Sequence, residues 1–415
     1  MTDPVREQYE LYPYPPRDPR DEAKRLIQGS PSHILEINHY VFGGRRDFSQ
    51  PFRALIAGGG TGDGAIMVAQ QLQDRRCPAE IVYLDLSEPS REIAEARATA
   101  RGLQNMRFLT GSLLELPAMG LGEFDYIDCC GVLHHLIDPA AGLAALRGLL
   151  NESGGIGLMV YGTYGRTGVY HLQKALRLLG REDAPPAKLD LARRLLKQLP
   201  PTNWLQRNPF VGDHLKAGDA GIYDLLLHAT DRAYTVGELV DFIESAGLSI
   251  SALIEPWRYE LANLISDGAL LKRLDALDRW QRAEIAELIA GNMKTHTAYV
   301  VPRSRLAAAV AQLDDGSMIP VLKDSSGPEL AKGLKPGGSL TARADGIEVR
   351  LPLPRLAPPI LAAIDGQRSI HGIFARIATE LGLSRDAFDR EFAVLFRAFN
   401  SVNKMFLQHR AAPMA

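Results

Sequence analysis

The chain has 415 residues, of which 46% are hydrophobic and 23% charged, and its formal net charge is -2. This length and composition predict two or three domains with a substantial core. The near-neutral charge does not favour nucleic acid or an anionic membrane as a partner. No apolar run approaches the ~18 to 20 residues that span a bilayer. The three cysteines show no metal-ligand spacing, which predicts no metal, no disulfide framework and a cytoplasmic location.

Residues 1–50 form a polar N-terminal arm that is rich in proline and tyrosine and does not have the pattern of a signal peptide. Tyr9, Tyr12 and Tyr14 fall close together and are interrupted by Pro13, so they do not form one helical core stripe. We expect this arm to fold over a bound ligand as a lid. The alternative is an arm that packs on the domain surface.

A glycine-rich turn, "GGGTGDG", follows the apolar stretch that ends at Ala57. It predicts a buried strand, a tight loop and a helix whose N-terminus faces a ligand. Read as "GTGDGA", the spacing matches a dinucleotide-binding turn. Read as "GGGTG", it matches the nucleoside-binding loop of a methyltransferase. A turn that binds nothing is a third interpretation.

Short apolar segments continue to alternate with helical periods up to residue 162, which predicts a doubly wound parallel sheet with ligands at the carboxyl ends of its strands. The predicted strands are 54–57, 81–86, 106–111, 124–133 and 154–162. The alternation lapses at about 163–230, which predicts a helical insertion, and it then returns to close a domain at 51–303. Residues 304–415 predict a small α+β, winged-helix-like accessory domain. It contains a hairpin around Asp345 and Gly346, followed by three helical segments up to Arg410.

Asp85 ends the second predicted strand, about 20 residues beyond the glycines, where an acid can accept hydrogen bonds from ribose hydroxyls. An acid before a helix also serves as an N-cap, which is the alternative role. With Asp85 in place, four blocks in order resemble the class I S-adenosylmethionine-dependent methyltransferases. These blocks are "LIAGGGTGDG", "VYLDLSEPS", "FLTGSLLELP" and "FDYIDCCGVLHHLIDP". The resemblance covers about residues 50–162, whereas the dinucleotide interpretation explains only the first two blocks.

The resemblance implies a Rossmann-like, seven-stranded methyltransferase sheet with S-adenosyl-L-methionine as the cofactor. It places the loop glycines at the amino-acid part, Asp85 at the ribose and Leu86 at the adenine. Two positions depart from the family pattern: Ile56 replaces the acid two residues before the first glycine, and Ser112 replaces the acid at the adenine amino group. Asp63 is the candidate to hold the ammonium instead. The implied cofactor residues are Gly58, Gly59, Gly60, Gly62, Asp63, Asp85, Leu86, Ser112, Leu113, Cys130, Gly131 and Val132.

Segments outside the four blocks, among them the "YPYP" stretch of the arm, resemble a bacterial subgroup that carries a C-terminal accessory or regulatory domain. Protein methyltransferases occur among related enzymes. We therefore expect methyl transfer to a nitrogen or oxygen atom of a protein side chain or a small molecule. The alternatives are an NAD(P)-dependent oxidoreductase and a non-catalytic nucleoside-binding scaffold. The sequence carries no prediction of oligomeric state.

Residues of the arm and residues that follow the fourth and fifth strands are candidates for catalysis or acceptor binding. His134 follows the fourth strand and is a candidate proton relay, or else a structural histidine, as is its neighbour His135. Tyr14, Tyr161 and Arg166 are candidates for acceptor contacts, although an arginine more often forms a surface ion pair. Further along, "LHATDRAYTV" brings His228, Asp231, Arg232 and Tyr234 to the point where the insertion rejoins the sheet. Asp231 there has two simpler roles, which are capping the helix that begins at Thr235 and pairing with Arg232.

Overall fold

The computed structural model describes residues 4–409. The N-terminal arm contains two helices, α1 (Pro4–Leu11) and α2 (Ile34–Val41), with a single helical turn at Pro19–Ala23 between them. Every residue of α2 is buried, because the helix packs between the central sheet and the C-terminal part of the chain. No helix in the described part of the chain is long and apolar enough to cross a membrane.

Strands and helices alternate from Phe52 to Gly162, as the sequence predicts. The strands are β1 (Phe52–Ala57), β2 (Ala79–Asp85), β3 (Met106–Thr110), β4 (Phe124–Cys130) and β5 (Leu150–Gly162). The intervening helices are α3 (Asp63–Asp74), α4 (Glu88–Ala100) and α5 (Pro139–Gly148). Side-chain caps begin two of them: Ser87 accepts a hydrogen bond from the Ser90 amide, and Asp138 accepts one from the Ala141 amide.

The segment after β5 is helical, and three of its helices have only four or five residues. These helices surround an apolar cluster of their own, because α6 and α7 turn their leucines toward each other. The helices are α6 (Val169–Leu179), α7 (Pro185–Leu196), α8 (Trp204–Arg207), α9 (Asp213–Lys216) and α10 (Gly218–Ile222), followed by a π-helical turn at Tyr223–Leu227.

The sheet then resumes and is completed. The elements are β6 (Ala233–Tyr234), α11 (Val236–Ser245), β7 (Leu248–Ile254), α12 (Gly268–Lys272), α13 (Arg279–Ala290) and β8 (Thr295–Pro302). The strand order is β3-β2-β1-β4-β5-β8-β7, with β8 antiparallel to both of its neighbours. The sheet has eight strands rather than seven, because the two-residue β6 also pairs with the end of β5.

Two apolar cores lie on opposite faces of this sheet. One core contains residues of α2, α3 and α4, and the other contains residues of α5, α11 and α13. The order in which the strands are added reverses between β1 and β4: β2 and β3 lie on one side of this point and β5 on the other. β1 and β4 are parallel, so their carboxyl ends lie side by side. In open α/β sheets this crevice is where ligands bind.

The C-terminal part has a third core and contains the predicted hairpin, whose strands turn at Asp345 and Gly346. The prediction of helix up to Arg410 is wrong: the last helix ends at Ser401, and the buried residues after it form a strand that pairs with Ile319–Leu322. Arg410 itself lies outside the described residues. The elements are α14 (Leu306–Ala309), β9 (Ile319–Leu322), α15 (Gly327–Gly333), β10 (Ser339–Ala344), β11 (Ile347–Pro352), α16 (Ala357–Ala363), α17 (Ile370–Leu381), α18 (Arg385–Ser401) and β12 (Met405–Gln408).

Candidate active site

The glycine loop connects β1 to α3 and leaves its backbone uncovered by side chains of its own. Gly58, Gly60 and Gly62 have φ angles of +77°, +51° and +102°, which residues with a Cβ rarely adopt. A Cβ at Gly59 would lie 2.2 Å from the ring of Tyr83. The loop therefore needs glycine for its conformation and for its close packing, and it forms a cradle at the sheet crevice.

Asp85 lies at the end of β2 and holds this loop in place. Its Oδ2 accepts a hydrogen bond from the Gly60 amide at 2.7 Å, and its Oδ1 accepts one from the Ser87 amide at 2.9 Å. Burial raises the pKa of Asp85, although its side chain stays partly exposed. Each carboxylate oxygen has a second lone pair, so the residue is able to receive ribose hydroxyls beside the loop. The glycine cradle and this carboxylate fit a nucleoside cofactor.

The other predicted cofactor residues lie along the same edge of the sheet, with two qualifications. Cys130 is exposed, and Leu86, Gly131 and Val132 are partly exposed. The hydroxyl of Ser112 already caps the short helix Leu113–Ala118. The side chain of Leu113 lies in the core, so a contact with the cofactor would have to come from its backbone.

Asp63 does not have a free carboxylate, contrary to the expectation that it holds the cofactor ammonium. Arg17 binds both of its oxygens, at 2.9 and 2.6 Å, and Arg97 donates to Oδ1 at 2.8 Å. These bonds lower the pKa of Asp63 in spite of its burial. The two guanidinium groups therefore neutralise the Asp63 carboxylate, which the sequence analysis expected to bind the cofactor ammonium.

The N-terminal arm lies directly against the loop. The Thr61 hydroxyl donates to the Pro15 carbonyl at 2.6 Å, and the Ser87 hydroxyl donates to the Tyr9 carbonyl at 3.0 Å. A Cβ on Gly60 would lie 2.9 Å from the Tyr14 carbonyl oxygen. The arm therefore packs against the glycine loop, and its role as a lid stays a prediction.

Beyond the loop, the arm and the insertion enclose a polar cluster around Asp224, a residue that the sequence analysis missed. Asp224 is 4% exposed. Its Oδ1 accepts a hydrogen bond from the Tyr9 hydroxyl at 2.9 Å and its Oδ2 accepts one from the Tyr161 hydroxyl at 3.2 Å. Burial raises its pKa. The one signal in the sequence is a carboxylate inside the otherwise apolar run "IYDLLL".

Two histidines adjoin this carboxylate. His228 Nε2 lies 3.3 Å from the Tyr9 hydroxyl, and the ring of His228 stacks on that of His135 with centroids 3.7 Å apart. Burial lowers the pKa of both histidines to about 3. Both rings are therefore neutral at physiological pH.

His135, Asp224 and His228 have potential ligand atoms within 4.8 Å of one another, the spacing of a metal site. The rings of the two histidines are within 19° of parallel, so their in-plane lone pairs do not converge on one point. The Thr230 amide also donates to His228 Nδ1, which leaves the proton on Nε2, the atom that faces the Tyr9 hydroxyl. This geometry fits a hydrogen-bonded cluster better than a metal centre.

The remaining candidates surround Tyr161. His134 is buried, and neither of its ring nitrogens has a hydrogen-bond partner among residues 4–409; its ring centroid lies 3.9 Å from that of Tyr161. The Arg166 guanidinium stacks 3.6 Å from the same ring and pairs with Asp231 at 2.9 Å. Arg166 is 3% exposed, so it is neither a surface ion pair nor free to clamp an acceptor carboxylate.

The expectations for Asp231 are also wrong. It pairs with Arg166 rather than Arg232, and Thr235 caps its own helix. Arg232 instead lies over the ring of Tyr234. Burial, together with nearby carboxylates, raises the pKa of Tyr14.

A cavity of about 480 Å³ lies between α1 and the insertion and reaches His228. Both acidic and basic side chains line it. The lining residues include Glu7, Arg177, Arg181, Asp183, Lys188 and Tyr223. The cavity therefore adjoins the buried cluster around Asp224 through His228.

Comparison with known proteins agrees with this geometry. Residues 55–156 match the family model described as a methyltransferase domain. An uncharacterized protein of Synechococcus sp. is 30% identical over 311 residues, which are 74% of this chain and 73% of that protein. The demethylmenaquinone methyltransferase of Thermus thermophilus is 34% identical over 142 residues, covering 31% of this chain and 59% of that enzyme.

Among solved structures, PKMT2 from Rickettsia typhi in complex with AdoHcy has the same fold. Its TM-score is 0.61 at 14% identity, and the match covers 100% of this chain and 78% of that one. The match to a methyltransferase domain and the similarity to the Thermus thermophilus enzyme support a methyltransferase over the oxidoreductase interpretation. The chain therefore belongs to the class I S-adenosylmethionine-dependent methyltransferases.

Proposed function

We propose that this methyltransferase methylates a nitrogen atom of an amine, which enters through the cavity between α1 and the insertion and meets Asp224. The acceptor is an amine on a protein side chain or on a small molecule. The observation that carries the proposal is the buried Asp224 carboxylate, which forms no salt bridge with any lysine or arginine among the described residues. A buried charge without a counter-ion is costly, and a protonated amine would supply the missing positive charge.

The surroundings of Asp224 suit a nitrogen acceptor better than an acidic oxygen acceptor. An acceptor carboxylate would be repelled by Asp224, whereas an ammonium group is attracted both by the carboxylate and by the ring of Tyr9. The neutral rings of His135 and His228 add no positive charge that would repel it.

The cofactor supplies a methyl group on a positively charged sulfur, and the amine must be unprotonated when it attacks this group. Asp224 is placed to take the ammonium proton, because its raised pKa brings it closer to that of the amine. The Tyr9 and Tyr161 hydroxyls hold the carboxylate in position. Arg166 and His134 in turn pack against the ring of Tyr161, so we assign both as positioning residues. Tyr14 closes the site from the arm and excludes water.

The test is transfer of a radiolabelled methyl group from S-adenosylmethionine to protein and small-molecule fractions of a cell extract. The label should survive alkaline treatment, because N-methyl groups are stable where methyl esters release methanol. Asp224→Asn should lower the rate by about 10²- to 10⁴-fold. The matched control is Asp219→Asn, which lies on the exposed surface of the same insertion and pairs with Arg193. Wild-type transfer by Asp224→Asn, or release of the label by base, would contradict the proposal.

A further inference from the structure

The acid that this family usually has two residues before its first glycine is missing, because that position holds Ile56. The side chain of Ile56 is buried in the apolar core on the α3 face of the sheet. In the parallel pairing of β1 with β4, the residue beside Ile56 is Asp128. An acid therefore lies one strand away from the position where the family has its own.

Asp128 is 2% exposed and lies at the start of the crevice between the two strands. Its carboxylate accepts a hydrogen bond from the Ser32 hydroxyl at 2.6 Å. A Cβ added to Gly64, in the first turn of α3, would lie 3.4 Å from its Oδ2. The carboxylate therefore sits beneath the end of the glycine loop.

No lysine or arginine among the described residues forms a salt bridge with Asp128. This sets it apart from Asp63, another acid near the loop, which two arginines neutralise. The N-terminus of α3 supplies only a partial positive charge. The unpaired Asp128 carboxylate lies at the point where the strand order reverses and lacks a positive partner. A cationic part of the ligand would supply that positive charge.

We propose that Asp128 provides the negative charge that recognises the ammonium group of S-adenosylmethionine, in place of the acid that is absent at position 56. The charge has moved from β1 to the adjacent position on β4 and stays at the same edge of the sheet. Asp128 is thus a cofactor-binding determinant, and this role is independent of the acceptor that the enzyme methylates.

The competing interpretation is that Asp128 serves only the fold, by placing negative charge at the N-terminus of α3. The two roles differ in their effect on ligands that lack the amino-acid part. A structural role would affect every ligand that uses the loop, whereas recognition of the ammonium affects only ligands that carry it.

Isothermal calorimetry with S-adenosylhomocysteine and with 5′-methylthioadenosine, which lacks the amino-acid part, separates the two roles. Asp128→Asn should weaken binding of S-adenosylhomocysteine by about tenfold to a hundredfold and leave 5′-methylthioadenosine within about twofold. Asp125→Asn, at the amino end of the same strand, is the matched control and should change neither affinity. Equal weakening of both ligands, or no weakening of S-adenosylhomocysteine, would overturn the proposal.

A second variant moves the charge back to the family position. Ile56→Asp combined with Asp128→Asn should regain at least part of the S-adenosylhomocysteine affinity that Asp128→Asn loses. Binding of 5′-methylthioadenosine reports whether the loop of this double variant is intact. If it binds that ligand normally but recovers no affinity for S-adenosylhomocysteine, negative charge at this edge is not what the ammonium needs, and the proposal is wrong.

Discussion

Replacing Asp128 by asparagine should stabilise the folded protein even as it weakens cofactor binding. Burial raises the pKa of Asp128 to about 6, from an ordinary value of 3.8. Since one pKa unit corresponds to about 1.4 kcal/mol, the ionised carboxylate costs the folded state about 3 kcal/mol. Asparagine has the same shape, carries no charge and still accepts the Ser32 hydrogen bond. At pH 7.5 we therefore expect the free energy of unfolding to rise by up to about 3 kcal/mol.

The stability difference between Asp128→Asn and the wild type should depend on pH. Because the folded state holds the Asp128 proton more tightly than the unfolded state, the cost is complete above pH 6 and disappears as the pH falls toward the unfolded value. The advantage of Asp128→Asn should thus shrink by about 1.4 kcal/mol between pH 7.5 and pH 5. Urea unfolding of the wild type, Asp128→Asn and the control Asp125→Asn at both pH values measures it. A variant that is less stable than the wild type at pH 7.5, or an advantage that does not change with pH, would refute the reasoning.

Three further variants test separate parts of the structure. Gly59→Ala should lower S-adenosylhomocysteine affinity by more than about tenfold by calorimetry, because its Cβ would meet the Tyr83 ring at 2.2 Å; unchanged affinity would mean that the loop tolerates a side chain. Arg17→Ala should raise the KM for S-adenosylmethionine by no more than about fivefold, because the Arg17–Asp63 ion pair is about 30% exposed. It should also speed proteolysis of the arm, and an arm as resistant as in the wild type would show that this ion pair does not hold the arm. Phe406→Ala should lower the free energy of unfolding by about 3 to 5 kcal/mol, because this ring of β12 is 1% exposed against α2, and a loss below about 1 kcal/mol would show that β12 does not hold α2.

Local patterns in the sequence predict much of the fold. The strands from Phe52 to Gly162, the cap at Asp138 and the turn at Asp345 each depend on residues within a few positions of one another, so their signals are visible in short segments. The strand β12 has no such signal. Its apolar residues continue a helical pattern and become a strand only because β9 and α2 cover them.

The loop glycines and Asp85 were accessible to sequence reasoning because their spacing is short and regular. The Asp224 cluster was not, since Tyr9 and Asp224 are 215 positions apart and meet only when the arm and the insertion fold together. Arg166 was misjudged for the same reason, because its partner Asp231 belongs to the far end of the insertion.

The acid that is missing at position 56 shows most clearly what the sequence does not predict. The sequence identifies Ile56 as a departure from the family pattern and offers Asp63 as the nearest acid along the chain. The strand register is what brings Asp128 beside Ile56, and the arm and α4 are what supply the arginines that occupy Asp63. Both facts are properties of the assembled sheet and not of any local segment.

The glycine loop and Asp85 are placed to hold an S-adenosyl nucleoside by its ribose. Calorimetric titration of the wild type and of Asp85→Asn with S-adenosylhomocysteine, with NAD⁺ as the comparison ligand, measures this contact. We expect the wild type to bind S-adenosylhomocysteine and not NAD⁺, and Asp85→Asn to bind S-adenosylhomocysteine at least about tenfold more weakly. Equal affinity of the two proteins for S-adenosylhomocysteine, or tighter binding of NAD⁺, would show that Asp85 does not hold the ribose.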